Sequence, residues 1–133
     1  KEIREKTDLL LMKMHAEDAK DRLPSQVSGG EAQRAAIARA MIGNPSLLFA
    51  DEPTGALNKA NSEEVMNLLT ELNNDGQSIL MVTHDVRAAL HGNRILYLED
   101  GKILDELNLP PYGSDDMKVR ENEVNNWLAS LQW

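Results

Sequence analysis

Leu47-Leu48-Phe49-Ala50-Asp51-Glu52 is a run of four apolar residues closed by two acids. An unbroken apolar run of this length suits a strand buried on both faces of a parallel sheet. In an open α/β sheet, ligands bind beyond the carboxyl ends of the strands, where these acids fall. One carboxylate there can hold Mg²⁺, a hard cation that prefers oxygen ligands. Its neighbour can orient or deprotonate a water.

Working outward, residues 79–82 form a second apolar run, in a strand expected over 78–82 and followed by Thr83-His84-Asp85. A histidine at that position can reach the same sheet edge and touch a phosphate. Between the two runs, Val65, Leu68, Leu69 and Leu72 recur at helical spacing, which predicts a helix over 62–73. Asn74-Asp75-Gly76 turns the chain into the second strand. Strands alternating with helices imply an α/β fold with a mostly parallel sheet.

Upstream, Ser28-Gly29-Gly30-Glu31 opens a helix predicted to run to Ile42. Serine followed three residues later by glutamate is a capping box. The glycines allow close approach of a backbone or a phosphate, and a helix N-terminus favours an anion. Residues 35–42 are apolar nearly all round, which predicts burial on most sides. Gly43 and Asn44-Pro45 end the helix. Short helices are expected at 5–14 and 16–21, with Pro24 closing that region. Downstream, a short helix is expected over 86–90. Asp100-Gly101 predicts a hairpin between strands at 94–98 and 102–107. Pro110-Pro111-Tyr112-Gly113 reads as a linker. Asp115 is the expected cap of a last helix, with Val124, Trp127, Leu128 and Leu131 on one face; Trp127 is expected to pack that helix back onto the domain.

The chain has 133 residues, a formal net charge of −8 and no cysteine. One hydrophobic core is the expectation for that length. The acidic balance argues against nucleic acid as a partner, and the lack of thiols excludes disulfides and thiolate metal sites. No apolar run is long enough to cross a bilayer. The charged opening, which lacks Met, suggests a piece of a longer chain. His15 and His91 have no companions at ligand spacing. The six methionines, scattered along the chain, are expected as core filling.

Taken together, Val27-Ser28-Gly29-Gly30-Glu31-Ala32-Gln33-Arg34 and the helix after it resemble the signature motif of ATP-binding-cassette ATPases. Residues 47–52 resemble the Walker B strand with its catalytic glutamate. Pro53-Thr54-Gly55-Ala56-Leu57-Asn58 resembles the D-loop region, and His84 the switch histidine. The resemblance covers about residues 9–107. Within the superfamily, residues 50–58 and 81–85 are similar to exporters of the lipoprotein-releasing, macrolide and antimicrobial-peptide types.

The resemblance implies the C-terminal portion of a P-loop NTPase core plus part of the helical subdomain. The implied layout is 1–44 as the helical portion with the signature, 45–107 as the C-terminal half of the ATPase core, and 108–133 as linker and last helix. ATP and Mg²⁺ are the implied cofactors. Ser28, Gly29 and Gly30 would contact the γ-phosphate held by a partner subunit. Asp51 would hold Mg²⁺, Glu52 would act as general base, and His84 would sense the γ-phosphate. Glu31 stands where many members carry Gln, and Asn58 where many carry Asp. No Gly-x-x-x-x-Gly-Lys-[Ser/Thr] loop occurs, so this chain alone is expected to be inactive.

The implied partners are a second nucleotide-binding domain, as a homodimer, and a membrane permease, with the protein on the cytoplasmic face of the membrane. The implied function is to power export of peptides or lipophilic compounds. The alternatives are an inactive cassette that binds a partner and a non-transport ATPase of the same superfamily.

Overall fold

The computed structural model describes residues 2–14 and 28–133. The helix expected at 16–21, with His15, Pro24 and Val27, lies outside the described residues. Two compact units divide the chain, Lys1–Thr83 and His84–Trp133.

The first unit holds α1 (Glu2–Lys13), α2 (Gly29–Met41), β1 (Leu47–Asp51), α3 (Lys59–Asn74) and β2 (Ser78–Val82). β1 and β2 pair in parallel, with Leu48 opposite Ile79 and Asp51 opposite Val82. Parallel neighbours need a crossover, and α3 supplies it. The apolar stripe read from the sequence becomes its buried face: Val65, Met66, Leu68, Leu69 and Leu72. α2 packs against both α1 and α3. Gln77 Nε2 donates to the Pro45 carbonyl at 3.1 Å, tying the approach to β2 to the approach to β1.

Three expectations are corrected here. α2 buries a stripe made of Gly30, Arg34, Ile37 and Ala38, while Ala36 and Ala40 are exposed. Alanine is small enough to satisfy either environment, so an alanine-rich helix reads as more buried than it is. β1 is covered on one side: Leu48 is 5% exposed, whereas Phe49 is 59% exposed. Leu47, Phe49, Leu80 and Val82 form an exposed apolar face, since Leu80 is registered with Phe49 and Val82 with Asp51. The methionines divide as well. Met14 and Met66 are buried, as core filling requires, but Met12 and Met117 are exposed.

The second unit holds α4 (Val86–Ala89), β3 (Arg94–Glu99), β4 (Lys102–Asn108) and α5 (Met117–Ser130). β3 and β4 are antiparallel, with an irregularity between Tyr97 and Leu98. Asp100 and Gly101 both take positive φ, +49° and +74°. That pair is the turn whose twist matches a two-residue hairpin, and Asp-Gly is among the few dipeptides that adopt it cheaply. Leu90, Leu109 and Val124 form the core, with Val86, Ile95, Leu107 and Leu128 packed around them.

The cap of α5 is Asp116, not Asp115. Asp116 Oδ1 accepts from the N–H groups of Lys118 and Val119 at 2.9 and 3.1 Å. Asp115 instead meets the Arg120 guanidinium at 3.1 Å. With two adjacent aspartates, the cap falls to whichever one can reach the free N–H groups. Trp127 does pack its helix back. It donates from Nε1 to Asp105 Oδ2 at 3.1 Å and lies edge-on to Tyr97 at 6.4 Å. Among the described residues, no helix is long and apolar enough to cross a membrane.

Candidate functional site

Ser28 caps α2 from an extended backbone conformation. Its Oγ accepts from the Glu31 N–H at 3.1 Å, and its carbonyl accepts from the Ala32 N–H at 2.9 Å. The serine-to-backbone half of the expected capping box is therefore formed. The amides of Gly29 and Gly30 are helix-opening donors that the helix itself does not use. Ser28 Oγ accepts one hydrogen bond and still carries a hydroxyl proton to give.

The glycines have a packing role that sequence reasoning missed. A Cβ on Gly30 would stand 2.7 Å from Asn61 Oδ1 and 2.8 Å from Asn61 Cγ. A Cβ on Gly29 would meet Leu57 Cδ2 at 3.2 Å. The start of α2 is thus pressed against the start of α3, which Asn58 caps by accepting from the Asn61 N–H at 2.8 Å. Deeper in the same contact, Arg34 is buried and pairs with Glu64 at 3.0 Å. Ser28, Gly29, Gly30 and Asn58 are therefore gathered where two helices begin. A search of the sequence for ligands has no way to see that Asn61 occupies the space a side chain would need.

Asp51 ends β1 opposite Val82, and the next amide extends the pairing: the Glu52 N–H donates to the Val82 carbonyl at 2.7 Å. Glu52 has φ +47°, in the left-handed region. A non-glycine residue there costs about 1–3 kcal/mol, and such residues cluster at functional sites. The tight turn after it sets that geometry, with the Gly55 N–H donating to the Glu52 carbonyl at 3.1 Å. Thr54, inside the turn, is buried. A cavity of about 130 Å³ lies beside this strand end, lined by Gln33 and Ile37 of α2 and by Leu48, Asp51 and Pro53.

His84 follows β2 by two positions and opens the second unit, where it is exposed. The next residue, Asp85, caps α4 by accepting from the Arg87 N–H at 2.9 Å. His91 stacks on Tyr112 with ring centroids 3.9 Å apart. Burial, helped by the nearby Arg120 charge, lowers its pKa to about 4, so it is neutral near neutral pH. Among the described residues no cluster of three His, Asp or Glu side chains could hold a metal by itself.

Parallel strands joined by a helix, with adjacent carboxylates at a strand's end and a glycine-opened helix, place the chain in the α/β class whose ligands bind beyond the strands' carboxyl ends. Comparison with known proteins makes this specific. The ABC transporter family profile matches residues 2–55. The macrolide export ATP-binding/permease protein MacB of Chlorobium luteolum is 51% identical over 86 residues, covering 65% of this chain and 13% of the relative. The lipoprotein-releasing system ATP-binding protein LolD of Aquifex aeolicus is 46% identical over 107 residues, covering 80% and 48%.

Among solved structures, the dimeric, post-hydrolysis ATP-binding cassette MJ0796, bound to ADP and Pi, superposes with a TM-score of 0.70 at 40% identity. That match covers 82% of this chain and 48% of the other. MJ0796 comes from Methanocaldococcus jannaschii.

The chain belongs to the ATP-binding-cassette family of ABC transporters, is similar to the ATP-binding proteins of macrolide-export and lipoprotein-releasing systems, and has the P-loop NTPase fold. It spans about half or less of the length of these relatives.

Proposed function

We propose that this chain is the signature and Walker B portion of an ATP-hydrolysing cassette that powers an exporter. The observation that carries the reading is Glu52: a strained carboxylate-bearing residue at the carboxyl end of a parallel strand, beside Asp51. In this reading Glu52 is the general base that activates water. Asp51 supplies a carboxylate oxygen to Mg²⁺.

The donor set fits that ion in part. A single carboxylate suits Mg²⁺, which keeps several waters and shares phosphate oxygens. When bound with ATP, the ion neutralises charge on the phosphates. Ser28 and the amides of Gly29 and Gly30 face the γ-phosphate of an ATP carried by a second cassette. Glu31 supports the helix opening. Asn58, by capping α3, holds the segment against which the glycines rest. His84 contacts the γ-phosphate after β2.

The proposed division follows the same logic: residues 1–44 as the helical portion, 45–107 as core and 108–133 as an appended linker and helix. The proposed partners are a second copy of the cassette and a membrane permease, with the cassette at the cytoplasmic face. Peptides or lipophilic compounds are the proposed cargo, supported by the names of the macrolide and lipoprotein relatives.

The test is steady-state ATP hydrolysis by the full-length protein with Ser28→Ala. Loss of one hydrogen bond to a charged phosphate, about 1.5–3 kcal/mol, predicts a fall of roughly ten- to a hundredfold. Unchanged turnover would remove the signature serine from the site.

A further inference from the structure

Arg120 sits in the first turns of α5 and is fully buried. Its Nε donates to the Leu90 carbonyl at 2.7 Å and its Nη2 to the Gly92 carbonyl at 2.7 Å. Nη1 donates to the Pro110 carbonyl at 2.6 Å and to Asp115 Oδ1 at 3.1 Å. The guanidinium also lies over the Tyr112 ring, 5.6 Å from its centre.

Two of the three carbonyls belong to the exit of α4. That helix is four residues long, a single turn whose own nucleation is unfavourable. It must be held by outside contacts. A cation at its C-terminal carbonyls is the favourable arrangement for a helix dipole. From Leu90 the bonds run back toward His84. The Leu90 N–H donates to the Val86 carbonyl and the Ala89 N–H to the Asp85 carbonyl, both at 3.0 Å. His84 is the next residue.

We propose that Arg120 is a positioning residue for His84: from α5 it fixes the α4 turn and thereby the backbone that presents the histidine. The proposal rests on the reading of His84 as the γ-phosphate contact. It gives the C-terminal helix a part in the hydrolytic cycle, acting through the Leu90 and Gly92 carbonyls that Arg120 holds. The fork geometry is essential to it, because a lysine ammonium is a point charge that cannot hold several carbonyls in fixed directions.

The experiment uses the full-length protein with Arg120→Lys, which keeps the charge in the pocket. Histidine side-chain NMR is expected to show the His84 ring resonances shifted or broadened, with faster hydrogen exchange across α4. The kcat for ATP is expected to fall about tenfold with KM changed less than about twofold, since the His84 contact to the γ-phosphate is one that strengthens in the transition state. In a His84→Ala background, Arg120→Lys is expected to lower kcat by less than about twofold, because coupled residues are non-additive.

His84 resonances and α4 exchange like those of the wild type overturn the proposal, whatever the activity. So does a fall in kcat that persists in full in the His84→Ala background, which would mark Arg120 as a general stabiliser. A His84→Ala protein of normal turnover overturns the His84 reading instead. In that case the NMR arm still reports whether Arg120 orders the segment, and positioning for catalysis is withdrawn.

Discussion

Replacing Glu52 by Gln is expected to lower ATP turnover of the full-length protein by roughly 10²–10⁴-fold, the range for loss of a general base. The substitution is nearly isosteric. The strained turn, whose backbone bonds run from Glu52 N–H to Val82 and from Gly55 N–H to Glu52, is therefore expected to survive. What disappears is the negative charge that draws a proton from water. ATP affinity measured by equilibrium binding is expected to hold, because the carboxylate acts on the attacking water and not on the bound nucleotide. Turnover within about threefold of wild type would take Glu52 out of the reaction and leave its positive φ as a feature of the turn alone.

The second large effect is on stability. Arg120→Met is expected to cost about 3 kcal/mol, the lower part of the range for removing one partner of a buried ion pair. The lower part applies because the Asp115 side chain keeps 20% of its exposure and can rehydrate. The carbonyls of Leu90 and Gly92 cannot all regain partners behind a methionine, and a buried carbonyl without one is costly. Against a typical margin of about 5–15 kcal/mol the loss is severe. Urea unfolding followed by the fluorescence of Trp127 and Trp133 measures it, and a loss below about 1 kcal/mol would mean that water enters and replaces the guanidinium. This loss is also why the positioning test keeps a cation at residue 120.

Much of the local structure around the candidate site was legible because it is set by residues close in sequence. Ser28 and Glu31 announce a helix start three residues apart, and the structure forms the Ser28 bond. Asp100-Gly101 specifies its own turn through two positive φ values. The stripe Val65, Leu68, Leu69 and Leu72 survives as the buried face of α3 because helical period and burial agree there. The parts that escaped depend on residues far apart in the chain.

Nothing near position 120 indicates that its guanidinium will be closed in by Leu90 and Gly92, 30 and 28 residues earlier. Nothing near Gly30 indicates that Asn61 will fill the space over it. The choice of Asp116 over Asp115 as the cap turned on a single residue's offset, below what composition can resolve. The exposure of Phe49 follows from what the run lacks around it. An apolar run states that a strand can be covered on both faces and is silent on what covers it.

The two sheets differ in a way that bears on how the chain acquires its structure. β1 meets β2 across a separation of 31 residues, as in Leu47 with Ser78. β3 meets β4 across separations from 3 residues, Glu99 with Lys102, to 14, Arg94 with Asn108. Hairpins of that kind close in about 1–10 μs, whereas pairing over a long loop must first overcome its closure entropy. The later sheet is therefore expected to appear first. In a pulse-labelling experiment, amides of residues 94–108 would gain protection before those of 47–51, so the strand bearing Asp51 would take its partner only after the α3 crossover has formed.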